Sequence, residues 1–165
     1  MAKKAKKPQR LEKGEVMYFI SYLNYNVVQT HDCYFPTDDD RFKDGNYFPD
    51  ARSCHDCSDE IQETYVPKLD VLEKLKRENL DKYIKATKEI SEKCKSLMGA
   101  YVKMKEKEQA KPRIGRKKEI KPDFEPQVIA LVESYTAYKS RREELVKDTA
   151  SVKKEIANFI KQYPK

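Results

Sequence analysis

A mainly α-helical fold is predicted by this sequence: a long antiparallel, coiled-coil-like helical hairpin, preceded by an irregular Tyr- and Asp-rich segment that carries Cys and His. Two stretches near the middle and the end of the chain repeat apolar side chains at alternating steps of three and four, the spacing of a helix that packs along one seam. A segment with three Pro and Gly residues separates them. The 165 residues include four glycines and no tryptophan, a composition that argues against a turn-rich β-sandwich or barrel.

Residues 1–14 read as a basic flexible tail. Lys3, Lys4, Lys6, Lys7, Arg10 and Lys13 stand against Glu12 alone, a local charge of +5 with no apolar period. Residues 15–67 read as irregular. A Tyr-rich apolar run leads into Tyr34-Phe35-Pro36 and Tyr47-Phe48-Pro49, where proline biases the preceding residue away from the helical region. Asp38, Asp39, Asp40 and Asp44-Gly45-Asn46 between them are turn-formers. Residues 30–70 carry a local charge of −7, opposite in sign to the tail.

Residues 68–109 read as the first long helix, with a seam at Leu80, Tyr83, Thr87, Ile90, Cys94, Leu97, Tyr101 and Met104. Leu69, Leu72 and Leu75 precede this seam slightly out of register. Residues 124–163 read as the second helix. Its seam runs through Phe124, Val128, Leu131, Tyr135, Tyr138, Arg142, Leu145, Thr149, Val152, Ile156, Phe159 and Tyr163. The linker at 110–123, with Pro112, Gly115 and Pro122, is short enough to force antiparallel pairing. At 1.5 Å per residue each arm would extend about 60 Å, too far for a compact monomer of this size to bury the whole seam. The hairpin is therefore expected to pack on something else.

The concentrated chemistry lies at His31, Cys33, Cys54 and Cys57. Cys54 and Cys57 have the spacing of a zinc knuckle, and His31 and Cys33 project from one face if their segment is extended. A structural zinc on these four residues is the leading expectation; a disulfide and ordinary reduced thiols are the alternatives. Cys94, on the helix seam, reads as a small buried hydrophobe. A calcium loop centred on Gly45 fails, because Phe42 and Ala51 stand where oxygen ligands are required. No phosphate-binding loop, dinucleotide fingerprint or zinc-protease helix occurs, so neither an enzyme nor a small-molecule substrate is expected.

Residues 103–121 carry +6. Lys111, Arg113, Arg116, Lys117 and Lys118 sit at the tip of the predicted hairpin, a natural contact for phosphate or an acidic surface. The net charge of +7 is modest, and the acidic middle would repel a phosphate backbone. The expected function is thus a structural or adaptor subunit that docks its hairpin onto protein partners in a larger assembly. The alternative is a zinc-stabilised nucleic-acid-binding or transcription-related factor that uses the tail and the tip. No apolar run approaches the roughly 20 residues of a membrane span, and the basic first thirteen residues contain no apolar signal-peptide core. An intracellular, cytoplasmic protein is expected.

Overall fold

The computed structural model describes residues 9–114 and 125–165, and among these the protein is mainly helical with one two-stranded sheet. The strands are β1, Val16–Ile20, and β2, Val27–His31, paired antiparallel with Val16 opposite His31 and Ile20 opposite Val27. The helices are α1, Pro36–Asp44, α2, Ala51–Thr64, α3, Val66–Gln109, and α4, Glu125–Gln162. Residues 15–67 are therefore not irregular as expected, but carry both strands and two helices. The β-branched and aromatic residues of 16–20 and 27–31 suit a pleated pair, and Tyr25, at φ 59°, turns the chain between them. Phe48 extends the ribbon by one residue: its N–H and C=O both bond to Tyr18 at 2.9 Å.

The turn-forming residues in this segment flank helices rather than replace them. Pro36 occupies the first turn of α1, where its missing N–H costs nothing and its fixed φ favours the helix. Asp38, almost fully buried, accepts the N–H groups of Cys33 and Phe35 at 3.2 Å each and holds the chain at this entry. Gly45 ends α1 at φ 77°, a conformation glycine adopts without strain. Asp50 caps α2 by accepting the Ser53 N–H at 2.8 Å. Pro67 has no N–H to continue α2, and α3 starts afresh at Val66.

The chain divides into two compact units. The first takes the described residues of Met1–Glu73 together with Lys147–Lys165; the second takes those of Lys74–Val146. The core of the first unit joins Ile20, Tyr25, Phe48, Cys54, Cys57, Ile61, Ile156 and Ile160, ringed by Tyr18, Val27, Leu69, Phe159 and Tyr163. Residues of the segment expected to be irregular thus form most of this core, and the last turns of α4 complete it. Beside it Asp32 is fully buried: Arg10 donates to both carboxylate oxygens at 3.0 Å, and the Tyr47 hydroxyl and Tyr34 N–H donate at 2.9 and 3.0 Å. Arg10 also lies 4.2 Å from the Tyr34 ring centre and pairs with Asp39. The basic tail is therefore anchored at Arg10, while residues 1–8 lie outside the described residues.

In the second unit α3 and α4 pack together. The Asn79 amide donates to the Tyr138 carbonyl at 3.0 Å, and the Tyr83 and Tyr135 hydroxyls meet at 2.9 Å with ring centres 5.0 Å apart. The covered stripe of α3 in this unit runs through Asn79, Tyr83, Ala86, Ile90, Lys93 and Leu97. Tyr83, Ile90, Leu97 and Tyr101 are covered where expected, but Leu80, Thr87, Cys94 and Met104 are exposed. The physical reason is local. The Asn79 side chain satisfies a main-chain carbonyl, and Ala86 is small enough to admit a close neighbour. On α4, Val128, Leu131, Tyr135, Tyr138 and Leu145 are covered as expected, Arg142 is exposed, and Phe124 lies outside the described residues.

Asp32 generates a pH prediction. The Arg10 guanidinium holds its carboxyl below the ordinary carboxylate range, with burial opposing and the Tyr34 N–H and Tyr47 hydroxyl assisting. A depressed folded-state value adds stability that is present above an ordinary carboxylate pKa of about 4 and lost as pH falls below it. Asp32→Asn is expected to cost about 2 kcal/mol at pH 7 in urea unfolding. The gap between variant and wild type should narrow below about pH 4. A gap constant with pH would contradict the assignment.

Candidate functional site

The four residues singled out for metal ligation sit in different settings. Cys54 and Cys57 lie one turn apart on α2, both fully buried in the core of the first unit. Burial pushes each thiol up to about 12, so both are neutral at pH 7. His31 ends β2 on an exposed edge with its Nδ1 3.1 Å from the Gly14 carbonyl. Cys33 is half-buried beside Asp38. Among the described residues no three His, Cys, Asp or Glu side chains form a group able to hold a metal ion. Cys54 and Cys57 stand one turn apart on α2, and His31 and Cys33 stand two residues apart at the end of β2. In these positions the two thiols pack as small hydrophobes against Ile20, Phe48 and Ile160.

The basic tip is described in part. Lys111 is exposed and donates to Glu108 at 2.7 Å, and Arg113 is exposed next to Ile114. Arg116, Lys117 and Lys118 lie outside the described residues.

Beside the covered stripes stands a second set of apolar residues, of which the predicted seams include Leu80 alone. Leu80, Ile84 and Met98 on α3 stand one residue beyond the covered Asn79, Tyr83 and Leu97, and are 44%, 44% and 58% exposed. Ile129, Val132 and Val146 on α4 stand one residue beyond Val128, Leu131 and Leu145, and are about half exposed. A residue that follows a seam position lies 100° round the helix, so each set forms a row along one flank. Leu80 and Val146 line the same cavity of about 240 Å³, together with Asn79 and Leu145, which places them at one groove of the pair. The signal in the sequence was the width of the stripe: on these helices apolar residues occupy seam positions and the next position too. A seam closed only on its partner needs the first and not the second.

Comparison of the chain with protein-family models, with curated proteins and with solved structures finds no match. Among the described residues, no helix is long and apolar enough to cross a membrane.

The thiol settings lead to a labelling prediction. Cys94, exposed on α3, should react with iodoacetamide at the rate of an open thiol, while Cys54 and Cys57 should react only after unfolding. Mass spectrometry of the digested protein checks this. Native labelling of Cys57 as fast as that of Cys94 would contradict the core assignment.

Proposed function

We propose that this chain is a non-enzymatic structural or adaptor subunit, which docks an antiparallel hairpin of α3 and α4 onto partner proteins in a larger assembly. The observation that carries the reading is the row of half-exposed aliphatic side chains along the second unit, Leu80, Ile84 and Met98 on one helix and Ile129, Val132 and Val146 on the other. Scattered surface aliphatics need no explanation, but these recur at fixed offsets from a covered seam and flank a shared groove. In an antiparallel pair, positions that follow the seam fall on the same side of both helices. The inter-helix contacts fit that direction, since Asn79 meets Tyr138 and the later Tyr83 meets the earlier Tyr135. A groove with aliphatic edges at such spacing takes the apolar face of a further helix, whose own residues at three- and four-residue steps would seat along it. The sequence offers no recognisable catalytic constellation, and the chemistry of this row is contact alone.

The test separates docking from folding. Ile84→Glu and Met98→Glu alter exposed positions, so each should leave the melting temperature within a few degrees of wild type. Their combination should abolish recovery of partner proteins from native extract at moderate salt, with nuclease present throughout. Partner recovery unchanged by the double variant would contradict the proposal. Recovery lost on nuclease treatment of the wild type would instead favour a nucleic-acid contact through the basic segments.

A further inference from the structure

A separate groove in the first unit, on residues that the docking reading does not use, has the chemistry of a cation site. It opens between α2 and the last turn of α4 and has a volume of about 560 Å³, within the ordinary range for a ligand site. Asp56 and Glu60, one turn apart on α2, line one side; Phe159 on α4 and Tyr163, the residue after its end, line the other, with Ser53 and Gln162 at the margin. Both carboxylates are exposed and both rings half-buried.

The parts are held in place before any ligand arrives. The Tyr163 hydroxyl donates to Glu60 Oε1 at 3.3 Å. Burial and the nearby Glu60 carboxylate push the Tyr163 phenol up, which keeps it a neutral donor at pH 7. The Phe159 and Tyr163 rings meet edge to face at 5.5 Å, and a tilted contact ties Phe159 to Tyr65 at 5.6 Å and Tyr163 to Phe48 at 6.4 Å. Asp56 has Arg52 at 4.0 Å, a loose exposed pair that a better-placed cation can displace.

We propose that this groove binds a lysine or arginine side chain of a basic partner peptide, its cation between Asp56 and Glu60 and its aliphatic stem against Phe159 and Tyr163. Charge decides the class. Asp59 and Glu63 add two further exposed carboxylates to α2, so an anionic ligand is repelled, while a cation gains both the carboxylates and the negative faces of the rings. A bare metal ion would find only two carboxylates and leave the rings without a role. The same chemistry holds this protein's own cations: Arg41 lies 3.9 Å from the Phe19 ring centre and Lys165 lies 4.9 Å from that of Phe48.

The experiment uses the full chain and a blocked peptide, acetyl-Gly-Arg-Gly-Lys-Gly-Arg-Gly-amide, followed by calorimetry and by ¹⁵N NMR at low salt. The expected result is a salt-sensitive complex whose amide shifts centre on Asp56, Glu60, Phe159 and Tyr163. The double variant Asp56→Asn/Glu60→Gln should melt like wild type and bind about tenfold more weakly. Phe159→Leu, which keeps apolar volume and removes the ring, should weaken binding about threefold. Equal affinity in the carboxamide variant, shifts centred on the acidic α1, or no binding would overturn the proposal. So would sedimentation showing that the chain dimerises without peptide and that the carboxamide variant is monomeric, which would assign the groove to a second copy.

Discussion

The first unit depends on two isoleucines near the end of the chain. Ile156 and Ile160, on consecutive turns of α4, are both fully buried against Ile20, Phe48, Cys57 and Ile61, which come from the ribbon and from α2. A two-stranded ribbon is marginal in water by itself, and α2 has an apolar face that requires cover. Burial of each isoleucine contributes about 2 kcal/mol, enough to decide whether so small a unit stays folded. The ribbon, α2 and the last turns of α4, far apart in the sequence, thereby share one core.

Polar groups then fix how the pieces meet. Asn46 accepts the Ile20 N–H at 2.8 Å and donates to the Ile20 carbonyl at 2.7 Å, tying the end of β1 to the chain after α1. Ser58 donates to the Tyr25 carbonyl at 2.7 Å and locks α2 to the turn of the ribbon. Gly45 has a second constraint beyond its φ: a Cβ there would come within 3.0 Å of the Lys161 Cα, so α1 ends where α4 passes closest. In the second unit Asn79, Tyr83, Ala86 and Tyr135 share the covered faces of α3 and α4 with Leu97 and Leu145, and the polar groups among them meet across the pair. A separate apolar set, Leu80, Ile84 and Met98 on α3 and Ile129, Val132 and Val146 on α4, stands exposed beside those faces.

The long helices were legible in the sequence because three-and-four spacing persists over many turns, and α4 follows its predicted seam at nearly every described position. On α3 the register was wrong at alternate steps. The even three-and-four step runs through Leu80, Thr87 and Cys94, whereas the covered face takes the residue before each, Asn79, Ala86 and Lys93, with Asn79 hydrogen-bonded to the Tyr138 carbonyl. Residues 15–67 were misread for a different reason. Pro36, Gly45 and Asp50 are loop-formers by composition, but at helix ends they are caps, and only their position relative to a tertiary core distinguishes the two roles. The clustering of Cys54 and Cys57 suggested ligands; a spacing of three on a helix also places both on one face, and that face is turned into the core. Nothing local in the sequence pointed to the pairing of Arg10 with Asp32, since it joins residues 22 apart through a fold that had been read as irregular.

The account's central claim is that the ribbon, α2 and the end of α4 form one cooperative core. Native-state hydrogen exchange on wild type and Ile156→Ala measures this directly. The amides of Tyr18, Ile20, Ile61 and Ile156 are expected to open with one common free energy, and in the variant all should fall together by about 3 kcal/mol. Loss of protection confined to α4, with the ribbon and α2 unchanged, would contradict it.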